Sequence, residues 1–96
     1  MLQLLPQSEI LIPNTKNPAQ AVEYINSYIE KTDCKNLNVD ISFMNVMDAC
    51  YVSTMCSTRH YMKFPEGKIN WLTASDLTSE IIQPLSLGNS EYQSYS

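Results

Sequence analysis

Leu37-Asn38-Val39-Asp40-Ile41-Ser42-Phe43-Met44-Asn45-Val46-Met47-Asp48 is the stretch on which the fold turns. Leu37, Val39, Ile41 and Phe43 alternate with Asn38, Asp40 and Ser42. Successive side chains of a strand point to opposite faces, so this alternation predicts a strand over 37–43 with one apolar face. Asp48 then stands where a helix should open, because a carboxylate in the first turn faces unpaired amides and the positive end of the macrodipole. A helix from Asp48 to Lys63 places Ala49, Val52, Met55, Cys56, Arg59 and Met62 on one stripe, Arg59 being the polar exception. It places Cys50, Ser53, Thr54, Ser57 and Tyr61 on another. The first stripe is expected inside and the second outside. Phe64-Pro65-Glu66-Gly67 ends the helix and turns the chain.

Upstream, Asn17-Pro18 is a helix start, since Asn caps an early amide and Pro fits the first helical position. Ala21, Val22, Ile25, Tyr28 and Ile29 recur at helical spacing, so this helix runs to about Lys31. Glu9–Ile12 reads as a strand, and Met1–Leu5 as an edge strand separated from it by Pro6. Downstream, Ile69 and Trp71 alternate with Lys68 and Asn70 in a strand that reaches Leu72. Ser75 or Asp76 caps a short third helix whose apolar side is Leu77, Ile81 and Leu85, with Ile82 flanking. Pro84 limits that helix, and Gly88 suits a left-handed turn beyond it. Asn89–Ser96 reads as a loose polar tail.

The reading is a single small α/β domain over 1–88 followed by the tail 89–96. It has three helices and three to four mainly parallel or mixed strands, in the order β-α-β-α-β-α. Helices are expected chiefly on one face of the sheet, with the other face more exposed.

Ninety-six residues have room for one core. With 44% apolar and 17% charged residues the chain should fold. A net charge of −4 with six scattered Lys and Arg argues against a nucleic-acid partner and against docking to an anionic membrane. No apolar run approaches the roughly 20 residues of a membrane span, and MLQLLPQSE lacks the pattern of a signal peptide. A cytoplasmic location without membrane insertion is the default expectation. Cys34, Cys50 and Cys56 form no CxxC pair, and with a single His they give no metal set. They read as reduced small apolar fillers, and no cofactor is expected.

Val39-Asp40-Ile41-Ser42 followed by Val46-Met47-Asp48 resembles the STAS family, the domains of sulphate transporters and anti-sigma-factor antagonists. There a strand carrying Asp-apolar-Ser leads through a loop to Asp-Ser-Ser-Gly at a helix start, with the aspartates eight residues apart as here. Gly67–Leu72 resembles the family's next strand and Ser75–Leu87 its short final helix, so the likeness spans 37–88. In regulatory members a Ser or Thr two residues after the helix-opening Asp is phosphorylated by a partner kinase. Cys50 holds that position here, Ala49 replaces the other hydroxyl residue and Tyr51 stands where Gly is usual. The resemblance therefore implies a protein-contact surface without the usual phosphoswitch.

The contact residues expected from this are Met44, Asn45, Asp48, Ala49, Cys50, Tyr51 and Thr54, with another protein, or a second copy of the chain, as partner. No catalytic residue is assigned. Asp48 as a plain capping acid is the competing account. Cys50 near the free amides of a helix start could instead favour thiolate and serve an enzyme or ligand site, with the charge of Asp48 opposing that. Cys56 and His60 are four apart on one helix flank, the spacing of a thiol–imidazole pair, but nothing in sequence orients the ring, and His60 is expected at the surface beside Arg59. Ser53, Thr54, Ser57 and Thr58 make a hydroxyl-rich face that is solvated, phosphorylated or covered by a partner. Asp40 reads as a carboxylate on the open sheet face, and Trp71 and the tyrosines as core and edge residues.

Overall fold

A computed structural model describes residues 10–33, 35–85 and 87–94. Asn17 Oδ1 accepts the Gln20 amide at 3.2 Å and Pro18 opens the first helix, α1, Pro18–Lys31. Its stripe of Ala21, Val22, Ile25 and Ile29 is buried as its spacing predicts. The other elements are strands β1 (Ile10–Leu11), β2 (Asn36–Asp40), β3 (Lys68–Thr73) and β4 (Ser90–Ser94), and helices α2 (Val46–Lys63) and α3 (Asp76–Ile82). A 3₁₀ turn at Gln83–Leu85 follows α3. The expected strand at Met1–Leu5 and residue Glu9 lie outside the described residues.

All four strands are parallel and lie in the order β1-β2-β3-β4. Consecutive parallel strands joined through helices by crossovers of one hand keep those helices on one face. One core cluster accordingly joins α1, α2 and Ile82 of α3 to Leu37, Val39, Ile69, Trp71 and Tyr92 of the strands. The small α/β fold expected of the sequence is present. Lys63 ties α2 to α1: its Nζ donates to the carbonyls of Ile29, Glu30 and Thr32 at 2.8 to 2.9 Å. It thereby satisfies the C-terminal end of α1 with a cation, which the macrodipole favours there.

Several local expectations are corrected. The strand predicted over 37–43 stops at Asp40, because Asp40 Oδ1 accepts both the Ser42 amide (2.8 Å) and the Ser42 hydroxyl (2.6 Å). That side-chain turn bends the chain, and Phe43 swings out to solvent while Ile41 stays in the core. Of the expected tail 89–96, Ser90–Ser94 pairs along β3, so the domain extends past residue 88, and residues 95 and 96 lie outside the described residues. On α3, Leu77, Ile81 and Leu85 face outward, and the helix buries Ser79 and Ile82 instead. Gly88 is not left-handed, and open space surrounds the position of its missing Cβ.

The face of the sheet away from the helices is buried at its centre, where exposure was expected. Asn38, Asn70 and Leu72 there have no accessible surface. Asn70 Nδ2 donates to Asn38 Oδ1 at 3.1 Å, and Gln93 Nε2 donates to Asn70 Oδ1 at 2.7 Å. This amide ladder crosses three strands and satisfies polar groups that would otherwise be costly to bury.

Candidate functional site

Asn45 rather than Asp48 opens α2: its Oδ1 accepts the Asp48 amide at 2.9 Å and the helix begins at Val46. Asp48 is thus the third helical residue, still well placed for the macrodipole. Cys50 is the fifth. It lies a turn inside the free amides.

The loop and the first turns of α2 stand at the C-terminal ends of β1 and β2, where open parallel sheets usually meet their ligands. Among the expected contact residues, Asn45, Tyr51 and Thr54 are exposed and Asp48 and Cys50 half-buried. Met44 and Ala49 belong to the core and present nothing to a partner. Sequence reasoning missed Phe43 and Met47. Both project into solvent, Met47 with 76% of its surface accessible, and Met55 continues the same side of α2 one turn beyond Tyr51. Phe43 also walls a shallow cleft of about 340 Å³ with Ile12 to Lys16 of the β1–α1 loop. The spacing of four from Met47 through Tyr51 to Met55 is the signal available in the sequence, and Met55 falls on the stripe expected inside.

The rest of α2 is rotated from its expected phase. Ser53 and Ser57 are buried, so neither is open to a kinase, while Met55 and Met62 are exposed. The reason is β4. Tyr92 donates its hydroxyl proton to Ser53 Oγ at 3.0 Å, Ser57 Oγ meets Ser90 Oγ, and Asn89 Nδ2 donates to the Ser57 carbonyl at 3.1 Å. A polar strand thus docks on the polar side of the helix. Burial raises the pKa of Tyr92, chiefly by desolvating the phenolate, so the phenol stays a hydrogen-bond donor.

His60 is fully buried, contrary to the surface position expected beside Arg59. Arg59 alone reaches outward, pairing with Glu30 at 3.0 Å. Neither ring nitrogen of His60 makes a hydrogen bond of normal geometry among the described residues. Desolvation lowers its pKa, and the carbonyl of Lys35 offsets part of that. Cys56 is equally buried, its sulfur 3.9 Å from the Val22 carbonyl, and desolvation pushes its thiol up to about 12. A protonated thiol and a neutral imidazole shut away from solvent have no way to act as nucleophile and base. Among the described residues no group of three His, Cys, Asp or Glu side chains could hold a metal, and no helix is long and apolar enough to cross a membrane.

The state of His60 gives a pH prediction. The unfolded chain protonates its imidazole below about pH 6.5, whereas the folded chain resists protonation to lower pH. Stability is therefore fully present above that value and lost as pH falls through it, at no more than about 1.4 kcal/mol per pH unit for the one proton. Urea midpoints taken between pH 7.5 and pH 5, roughly spanning this titration, should decline for the wild type. Part of the decline should vanish in His60→Gln. Equal slopes in both chains would show that other groups carry it.

No family model, curated protein or solved structure matches the chain.

Proposed function

We infer that the chain is a non-enzymatic protein-interaction module of STAS-like type, acting through the start of α2. Support comes from the β-α-β-α-β-α-β order, with aspartates at 40 and 48 on either side of the loop. The observation that carries the reading is the line Phe43, Met47, Tyr51 and Met55, large apolar side chains left in solvent on one loop and one helix side. Contiguous exposed apolar surface marks interaction sites, and methionine adapts its shape to a partner. Asp48 supplies the charge beside this line, so the partner offers an apolar surface carrying Lys or Arg. With Cys50 in the position where the family's regulatory members are phosphorylated, binding is controlled by something other than that modification.

The test is recovery of bound protein from the native cell by wild type, Met55→Glu and Asp48→Lys, each with its folded state verified by circular dichroism. Loss of one well-packed apolar contact costs about 1–3 kcal/mol, so Met55→Glu should reduce recovery of specific proteins about tenfold or more. A Tyr24→Glu control on α1 should leave it unchanged. Equal recovery by all four chains overturns the proposed surface.

A further inference from the structure

The apolar line at the start of α2 continues to the far end of the helix. Met62 leaves 76% of its surface in solvent, and Thr54, Thr58 and Tyr61 are exposed between it and Tyr51. Thr58 returns its hydroxyl to the Thr54 carbonyl at 2.9 Å, so that group asks nothing of a partner. Met47, Tyr51, Thr58 and Met62 are spaced four, seven and four, which sets them on one ridge of the helix. The two ends of α2 carry opposite charges, Asp48 near the start and Arg59 near the finish. Eleven residues make about three full turns, so both charges lie on one flank, the side where Arg59 reaches Glu30 of α1 at 3.0 Å. That pair is half exposed on both sides and holds Arg59 weakly, and a guanidinium with five donors can serve a second carboxylate.

We propose that the partner of this surface is a second copy of the chain, the two α2 helices packing antiparallel with Asp48 of each beside Arg59 of the other. This pairing rests on the reading above that the start of α2 is a contact surface, and it names the occupant. The two-fold axis lies between the helices, perpendicular to both and level with Thr54 and Met55. At 1.5 Å per residue it sets Met47 level with Met62 of the second copy and Tyr51 level with Thr58. It leaves Asp48 about 3 Å along the helix from the opposing Arg59, and keeps the α1 flanks of both copies on the same side. A parallel pair would set Asp48 against Asp48 and Arg59 against Arg59, and would align the two macrodipoles. α1 runs beside the C-terminal half of α2, since Cys56 meets Val22 and Lys63 meets Ile29. The two α1 helices therefore overlap only at their first turns. The basic, apolar surface that suits the start of α2 is thus the far half of the same helix, and one self-complementary patch closes the dimer.

Sedimentation of the purified full chain from about 1 µM to about 1 mM should show a monomer–dimer equilibrium, with a Kd on the order of 100 µM for an interface of one helix pair. Met62→Glu lies outside the apolar line tested above and should raise the Kd about tenfold or more. Asp48→Lys and Arg59→Glu each bring two like-charge pairs together across the axis, and each should raise it about tenfold. All three variants should keep the circular dichroism of the wild type. An equimolar mixture of Asp48→Lys with Arg59→Glu should recover a dimer of about wild-type strength, because every pair across its axis is again of opposite sign. A dimer indifferent to Met62→Glu, a mixture no more associated than its parts, or growth beyond the dimer overturns the proposal. A concentration-independent monomer overturns it too, and recovery from the native cell then separates the two readings. If Met55→Glu still loses bound protein, the surface stands with a different occupant; if it does not, both fall.

Discussion

Trp71→Ala is expected to cost about 3–5 kcal/mol, the usual range for truncating a fully buried aromatic residue to alanine. A 96-residue domain has a total stability of roughly 5–15 kcal/mol, so the variant should be close to unfolding at room temperature. Trp71 sits mid-strand in β3, between Val39 and Tyr92 in register, with no accessible surface. Its Nε1 donates to Ser90 Oγ at 3.1 Å, and Ser90 Oγ also meets Ser57 Oγ on α2. Truncation therefore opens a cavity and removes one member of the polar junction between helix and strand at the same point. Trp71→Phe keeps most of the buried area and loses only the N–H, and should cost about 1–2 kcal/mol. Trp71 is the chain's single tryptophan, so urea unfolding must be followed by far-ultraviolet circular dichroism. A cost under about 1 kcal/mol for the alanine variant would mean that β4 docks without help from this side chain.

What was legible in the sequence is what local chemistry determines. The Asn17 cap, the Ser75 cap that accepts the Thr78 amide, the α1 stripe and the 68–72 alternation all depend on neighbours within four residues. β4 was not legible. SEYQS has no apolar run, and it is held by Ser53, Ser57 and Trp71, which lie far away in sequence. The same blindness rotated α2 and hid His60. Hydropathy sends serine outward and methionine inward, but Ser53 and Ser57 face a polar strand, and Met55 and Met62 face solvent. The candidate site was half legible for a related reason. Asn45, Asp48, Tyr51 and Thr54 follow from the loop and helix start, whereas Phe43 is exposed only because Asp40 folds back onto Ser42.

Gly67→Ala should be the most damaging change of a single methyl group. A Cβ at Gly67 would overlap the carbonyl oxygen of Lys35 and come within 2.8 Å of His60 Cε1 and 3.0 Å of Phe64 Cβ. The rings of Phe64 and His60 already meet at a tilt, with centroids 5.4 Å apart, so each limits the other's retreat. The carbonyl is the harder obstacle. It accepts the Lys68 amide at 3.0 Å, and moving it breaks the first hydrogen bond between the start of β3 and the segment leading into β2. Overpacking costs about 1–3 kcal/mol, and loss of that bond adds about 1, so a cost of about 2–4 kcal/mol is expected. Removing the imidazole isolates the two causes. In a His60→Ala background Gly67→Ala should still cost about 2 kcal/mol, because the backbone obstacle remains. Gly88→Ala is the matched control: no atom lies within 4 Å of its added Cβ, and the change should be neutral or stabilising by up to about 1 kcal/mol. Should Gly67→Ala prove as harmless as Gly88→Ala in urea unfolding, the turn at 64–67 does not press against Lys35 and His60, and the burial of that imidazole would need another cause.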